Sequence, residues 1–100
     1  VRFRFRTTKL EKLYRKSLEA KKHWGKEVAR TFLRRVEQIA ACTSVKDCYQ
    51  IPQFRFHALK GDRDGQYAIR LSDQMRLIVT FEEGAETTVW IEEVSKHYGD

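Results

Sequence analysis

The sequence predicts an α+β domain: an amino-terminal strand and a two-helix hairpin packed on a mostly antiparallel sheet. Three observations carry that expectation. Arg2-Phe3-Arg4-Phe5-Arg6 alternates strictly, which is the period of a half-buried strand. Apolar residues between Leu10 and Ala40 recur at three- and four-residue steps, the period of helices with one buried stripe. After residue 53 the period returns to two and persists to Val94. Residues 1–100 are expected to form one domain, because this length supports a single modest core and is too short for a Rossmann, barrel or kinase fold.

Each element has its own signals. Phe3 and Phe5 face inward on the first strand. Thr7 or Thr8 then caps a helix, and with Thr8 as the cap Glu11 completes a capping box. Leu10, Leu13, Tyr14 and Leu18 form the apolar stripe of that helix, which breaks at His23-Trp24-Gly25. A second helix runs from about Lys26 to Cys42. Its stripe is Val28, Ala29, Phe32, Leu33, Val36, Ile39 and Ala40, with Arg30, Arg34, Arg35 and Glu37 outside it. Thr43 to Pro52 reads as a loop containing the only proline. Phe54–Leu59 reads as a strand, with Phe54, Phe56 and Ala58 on one face and Arg55, His57 and Leu59 on the other. A glycine-bounded turn over 60–65 follows. The strands 67–71 and 76–81 come next, joined by Ser72-Asp73-Gln74, with Tyr67, Ile69, Leu71, Leu77, Val79 and Phe81 inward. Glu82–Glu86 is a hairpin loop, and the last strand spans Thr87 to Val94.

The 20 Lys and Arg outnumber the 14 Asp and Glu, so a net charge of +6 biases partners toward anions. Two cysteines are too few for a disulfide framework. Cys42 and Cys48 read as buried small residues in a reducing compartment, with a bridge closing the 42–48 loop as the alternative. No metal site is called: His57 has no partner at a zinc spacing. No stretch approaches the roughly 20 apolar residues of a membrane span.

Arg55, His57, Lys60, Arg63, Arg70 and Arg76 fall within 22 residues, mostly on the non-core face of three sequential strands. Plain solvated surface is one reading of that face. The other is a phosphate site, since arginine suits bidentate phosphate contact. RNA cleavage by an internal 2′-hydroxyl needs a base, an acid and cations on the pentavalent phosphate. Histidine and tyrosine handle protons, and His97-Tyr98 follows the last strand closely enough to reach the same face. Trp90 falls on the outer face with Glu92, where an exposed ring could touch a protein partner or a nucleotide.

The run from His57-Ala58-Leu59-Lys60-Gly61 through Gly65-Gln66-Tyr67-Ala68-Ile69-Arg70 to Ser72-Asp73-Gln74-Met75-Arg76-Leu77-Ile78 resembles the core signature of HigB-type toxins. These are plasmid maintenance system killer proteins of the RelE/ParE superfamily. The resemblance covers nearly the whole chain and implies a RelE/ParE-like fold. It also implies a ribosome-dependent endoribonuclease that enters the ribosomal A site and cuts translated mRNA without a metal or cofactor. The implied partners are a cognate antitoxin, the ribosome and mRNA, with DNA reached only through the antitoxin, and the implied compartment is the cytoplasm.

Carried over by position, Arg76 is the candidate for the scissile phosphate and His57 for a general base or substrate-orienting group. Lys60, Arg63, Arg70 and Arg55 are candidates for RNA or phosphate contact. Many members end the last strand in Asp-Tyr-His. Here the end reads Glu92-Glu93-Val94-Ser95-Lys96-His97-Tyr98-Gly99. Either His97 and Tyr98 replace that tail in inverted order, or Glu93 takes the acidic place. Met75 stands where the motif often has Trp. Two rival functions share the fold or composition: a ParE-like inhibitor of DNA gyrase, and a non-catalytic ribosome, RNA or protein-interaction module.

Overall fold

The computed structural model describes residues 1–96. Strand β1 (Arg2–Phe5) is followed by helices α1 (Thr8–Arg15), α2 (Ser17–Trp24), α3 (Lys26–Ala41) and α4 (Val45–Tyr49). Strands β2 (His57–Ala58), β3 (Tyr67–Arg70), β4 (Met75–Glu82) and β5 (Thr88–Lys96) follow among the described residues. The five strands make one sheet in the order β1-β5-β4-β3-β2. β1 lies parallel to β5, while the other three pairings are antiparallel. The expected α+β architecture and mostly antiparallel sheet are therefore present.

One face of the sheet buries Ile69, Leu71, Leu77, Val79, Val89 and Ile91 against Phe32, Val36 and Ile39 of α3. Phe3, Phe5 and Tyr14 close the β1 end of this core, with ring centroids 5.2–5.8 Å apart. Removing such side chains from water supplies most of the folding drive, about 1.5–3 kcal/mol for each large one. No helix among the described residues is long and apolar enough to cross a membrane.

Several local expectations are corrected. The cap of α1 is Thr7, whose Oγ1 accepts from the Leu10 amide at 3.2 Å, so Thr8 is already helical and the capping box with Glu11 does not form. The expected single first helix breaks at Lys16, which takes an extended conformation. Leu18 is 70% exposed rather than buried. It belongs to α2, beyond the break at Lys16, so the phase of Leu10 and Leu13 does not carry over to it. Ala20 and Trp24 carry the packing of α2 instead, in a small cluster with Leu13 and Ala29.

On α3 two assignments are reversed: Ala40 is exposed and Arg35 is buried. Arg35 sits between Ile39 and Cys42 on the helical wheel, and both of those are buried. The 43–52 segment is not all loop, because it contains α4, whose Cys48 is buried. Cys42 and Cys48 are both free thiols. Burial, reinforced by the Cys42 thiol beside it, pushes Cys48 up to about 12.

The largest departure is at 54–59. Pro52–Phe54 forms a 3₁₀ turn and Arg55 adopts a left-handed conformation, with φ of 45°. That reversal lets Phe54 and Phe56 both enter the core and delays the strand to His57–Ala58. Ala58, expected inward, is exposed.

Candidate active site

Sheet pleating decides which side chains share the face away from the helices. Register puts His57 beside Ala68, Ala68 beside Ile78, and Ile78 beside Glu93, so one row crosses four strands. The neighbouring row is Arg70, Arg76 and Ser95. Glu93 joins this face because of a bulge: Ile78 pairs with Glu93 while Val79 pairs with Ile91, leaving Glu92 as the extra residue. Both carboxylates thereby reach the outer face. Thr80 and Arg6 donate to Glu92, and Arg63 donates to Glu93 at 3.4 Å.

A cleft of about 520 Å³ opens on these rows. Its floor is apolar, from Ala58, Leu59, Ala68 and Ile78, and its polar lining is His57, Lys60, Arg63, Arg76, Ser95 and Lys96. Four cations around one histidine make it an anion-receiving site.

Each polar group is held by its surroundings. The Nδ1 of His57 lies 2.8 Å from the Arg55 carbonyl oxygen. A carbonyl only accepts, so Nδ1 carries the proton, and the basic nitrogen of the neutral ring is Nε2. The left-handed turn at Arg55 aims that carbonyl. Arg76 donates through Nη1 to the carbonyls of Ser72 and Met75, the latter at 3.0 Å, which ties its guanidinium to the β3–β4 turn. The Asp73 carboxylate of the same turn pairs with Arg70. Arg63 also donates to Gln66 at 2.9 Å, so Gln66 and Glu93 together fix its direction over the cleft.

Behind this face Arg35 anchors two pieces of the site at once. Its Nε donates to the Arg70 carbonyl at 3.0 Å and its Nη2 to the Gln53 carbonyl at 3.4 Å, while Nη1 donates to Gln38 at 2.9 Å. Burial drives its pKa down, helped by the positive charges of Arg34 and Arg70. The guanidinium nevertheless stays charged at neutral pH.

The cleft thus gathers four of the sequence-derived candidates, His57, Lys60, Arg63 and Arg76, and the Arg63 contact brings Glu93 to its edge. Arg55 and Arg70 do not line it. His97 and Tyr98 lie outside the described residues. Sequence reading missed Ser95 and Lys96. A signal existed: the inward positions Val89, Ile91 and Val94 break the period of two, which is what a bulge does.

A second polar cluster lies beyond the bulge. Trp90 donates from Nε1 to Glu82 at 2.8 Å, and the Arg6 guanidinium lies 4.0 Å from the ring centroid. The hydrogen bonds from Arg6, then that from Thr80, hold the Glu92 carboxyl below the usual range. Among the described residues no group of three or more His, Cys, Asp or Glu stands close enough to hold a metal ion.

Comparison with known proteins agrees with this architecture. Residues 3–93 match the family model HigB-like toxin, described as the RelE-like toxin of the type II toxin–antitoxin system HigB. No curated protein sequence matches the chain. A solved structure described as a YoeB/ParE toxin from Agrobacterium tumefaciens superposes with a TM-score of 0.62, covering 98% of this chain and 100% of that one. Its 11% identity makes it a likeness of fold.

Proposed function

Since the chain belongs to the HigB-like family of RelE-like toxins of type II toxin–antitoxin systems, we propose that its cleft cuts messenger RNA on the translating ribosome. The observation that carries this reading is the cleft itself, where a histidine of fixed tautomer stands among four cations on an apolar floor. The reaction is transesterification. The 2′-hydroxyl oxygen attacks the adjacent phosphorus, the P–O5′ bond breaks, and the ends are a 2′,3′-cyclic phosphate and a 5′-hydroxyl.

Neutral His57 takes the 2′ proton at Nε2 or orients the hydroxyl, its ring steadied by the Arg55 carbonyl. Arg76, held by the turn carbonyls, neutralises the pentavalent phosphate with Lys60. Arg63 and Lys96 hold the flanking backbone, and Arg55 and Arg70 extend that contact outside the cleft. Glu93 serves as the acidic member by steering Arg63, and is the acceptor of the 2′ proton where His57 only orients the hydroxyl. His97 and Tyr98 are the candidates to return a proton to O5′. All of residues 1–100 serve as one toxin domain, with the cytoplasm as its compartment. Its partners are the antitoxin, the A site and mRNA, and the antitoxin provides any contact with DNA.

Primer extension on mRNA translated in vitro with purified protein tests this reading. New 5′ ends are expected with translating ribosomes and absent without them. Intact mRNA in both reactions overturns the proposal and makes inhibition of gyrase supercoiling the next activity to assay.

A further inference from the structure

Trp90 stands on the outer face of the sheet, although the residues on either side of it, Val89 and Ile91, are buried in the core. Its partners in register are Thr80 on β4 and Arg4 on β1, so it lies one pleat row beyond the Ile78–Glu93 pair. The ring is held in place. Its Nε1 donates to Glu82 at 2.8 Å, and Arg6, itself tied to Glu92 at 2.8 Å, lies over it 4.0 Å from the centroid. Arg4 is exposed, 5.5 Å from the same centroid, and among the described residues it enters no ion pair within 4 Å. A groove of about 340 Å³ opens beside the ring, lined by Arg4, Phe5, Glu11 and Trp90. Arg6 is absent from that lining, so its stack leaves the groove side of the indole open. Arg15 donates to Oε2 of Glu11 at 3.0 Å, which leaves Oε1 for the groove.

We propose that this groove is a subsite for an unpaired nucleobase of the RNA strand held in the cleft, with the base stacked on Trp90 and its exocyclic amino group donating to Glu11. The RNA partner rests on the proposed function; cleavage does not enter the inference. Three strand spacings and one pleat row separate Trp90 from His57, about 16 Å along the sheet, which a few nucleotides of single strand cover. The walls select a base over a phosphate. An indole stacks with any base, and a guanidinium plane does the same. A carboxylate repels phosphate but accepts from an amino group such as N4 of cytosine. Uracil has no such group, so the subsite prefers cytosine to uracil. Arg6 fixes the ring, while Arg4 is the member able to close over the base.

Binding of 2′-O-methyl RNA hexamers of C or U, which cannot be cut by a 2′-hydroxyl, tests the inference. In the Trp24→Phe protein, where Trp90 is the sole tryptophan, RNA should quench the fluorescence saturably. Anisotropy of labelled hexamers should show C bound about fivefold tighter than U, and Glu11→Ala should erase that ratio. Trp90→Leu should weaken both hexamers about tenfold and Trp90→Phe less than about twofold, because a phenyl ring still stacks. Matched urea unfolding checks each fold. If Trp90→Leu does not fold, the C-to-U ratio in Glu11→Ala decides alone.

No saturable quenching up to millimolar RNA overturns the inference. So does equal binding of C and U, or a ratio that survives Glu11→Ala. Unchanged RNA binding by folded Trp90→Leu overturns it as well, including the case where only the hold on the antitoxin is lost and the ring is a protein contact. Base-selective quenching without new mRNA ends on ribosomes sinks the nuclease reading and leaves this one standing; ribosome-dependent cleavage without quenching does the reverse.

Discussion

Replacing Arg35 by Met keeps the volume of the side chain and deletes its charge and donors. The Arg70 and Gln53 carbonyls then lose donors at 3.0 and 3.4 Å, and Gln38 loses one at 2.9 Å. Each buried acceptor left without a partner costs about 1–3 kcal/mol, the longer bond at the low end. Against that stands relief from burying a cation, which is large enough to move the guanidinium's pKa downward. The balance predicts a net loss of about 2–4 kcal/mol. Urea unfolding followed by the fluorescence of Trp24 and Trp90 would read it as a midpoint lower by about 1–2 M. Arg35→Lys should recover only part of the loss, because one ammonium cannot reproduce the planar fork that reaches both carbonyls. Cleavage should fall at temperatures where the variant is still folded, since the Gln53 turn leads directly into the His57 segment. A midpoint unchanged to within about 0.3 M, or raised, would refute the reasoning: the buried charge would then cost as much as its bonds return.

Thr7→Ala should cost about 1 kcal/mol in the same assay and Thr8→Ala less than about 0.5, because only Thr7 caps α1. The depressed pKa of Glu92 stabilises the fold above the ordinary carboxylate range, and this contribution is lost as pH falls through the lowered value. With Arg6 half exposed the pair is strongly screened, so Glu92→Gln should flatten the acid limb of the stability profile only slightly. Cys48 acts at the other end of the scale. Its thiol titrates near 9 when unfolded and about 12 when folded, so stability should decline as pH rises through that window, and Cys48→Ala should lessen the slope, leaving the part that the buried Cys42 thiol contributes. In single-turnover cleavage His57→Asn should lose about 10²–10⁴-fold and Arg76→Lys about 10²–10³-fold. A loss below tenfold for His57→Asn assigns that ring a structural role.

Where a single period governs an element, the sequence was enough. The strict alternation of β1, the Ile69/Leu71 and Leu77/Val79 pairs, and the Phe32/Val36/Ile39 stripe all pack as their spacing demands. Residue type misled where phase should have decided. Arg35 looked solvent-facing because arginines usually are, although its angle on the helix lies between two core residues. Leu18 looked buried because the phase of α1 was continued through the break at Lys16. The break at Lys16 had no local marker: no Gly or Pro stands there, and Ser17 makes no capping bond. Only the tertiary contact of Ala20 with Leu13 and Ala29 gives it a rationale.

The cleft shows why its residues could be nominated yet not placed. His57 follows a left-handed residue and a 3₁₀ turn, Glu93 follows a bulge, and Arg76 is held by carbonyls of a turn. Every one of these sits where a regular period is interrupted, because a regular pleat can only present alternate side chains at fixed spacing. An interruption brings adjacent residues to one face, as with Glu92 and Glu93, or swings a carbonyl toward a ring, as at Arg55. These departures cost backbone energy, about 1–3 kcal/mol for a non-glycine residue held left-handed. The surrounding core must supply it: Phe54 and Phe56, flanking Arg55, are both buried and hold the turn in place. Arg55→Gly therefore separates fold from site. It should relieve the strain and leave stability within about 1 kcal/mol, while loosening the carbonyl that fixes the His57 tautomer.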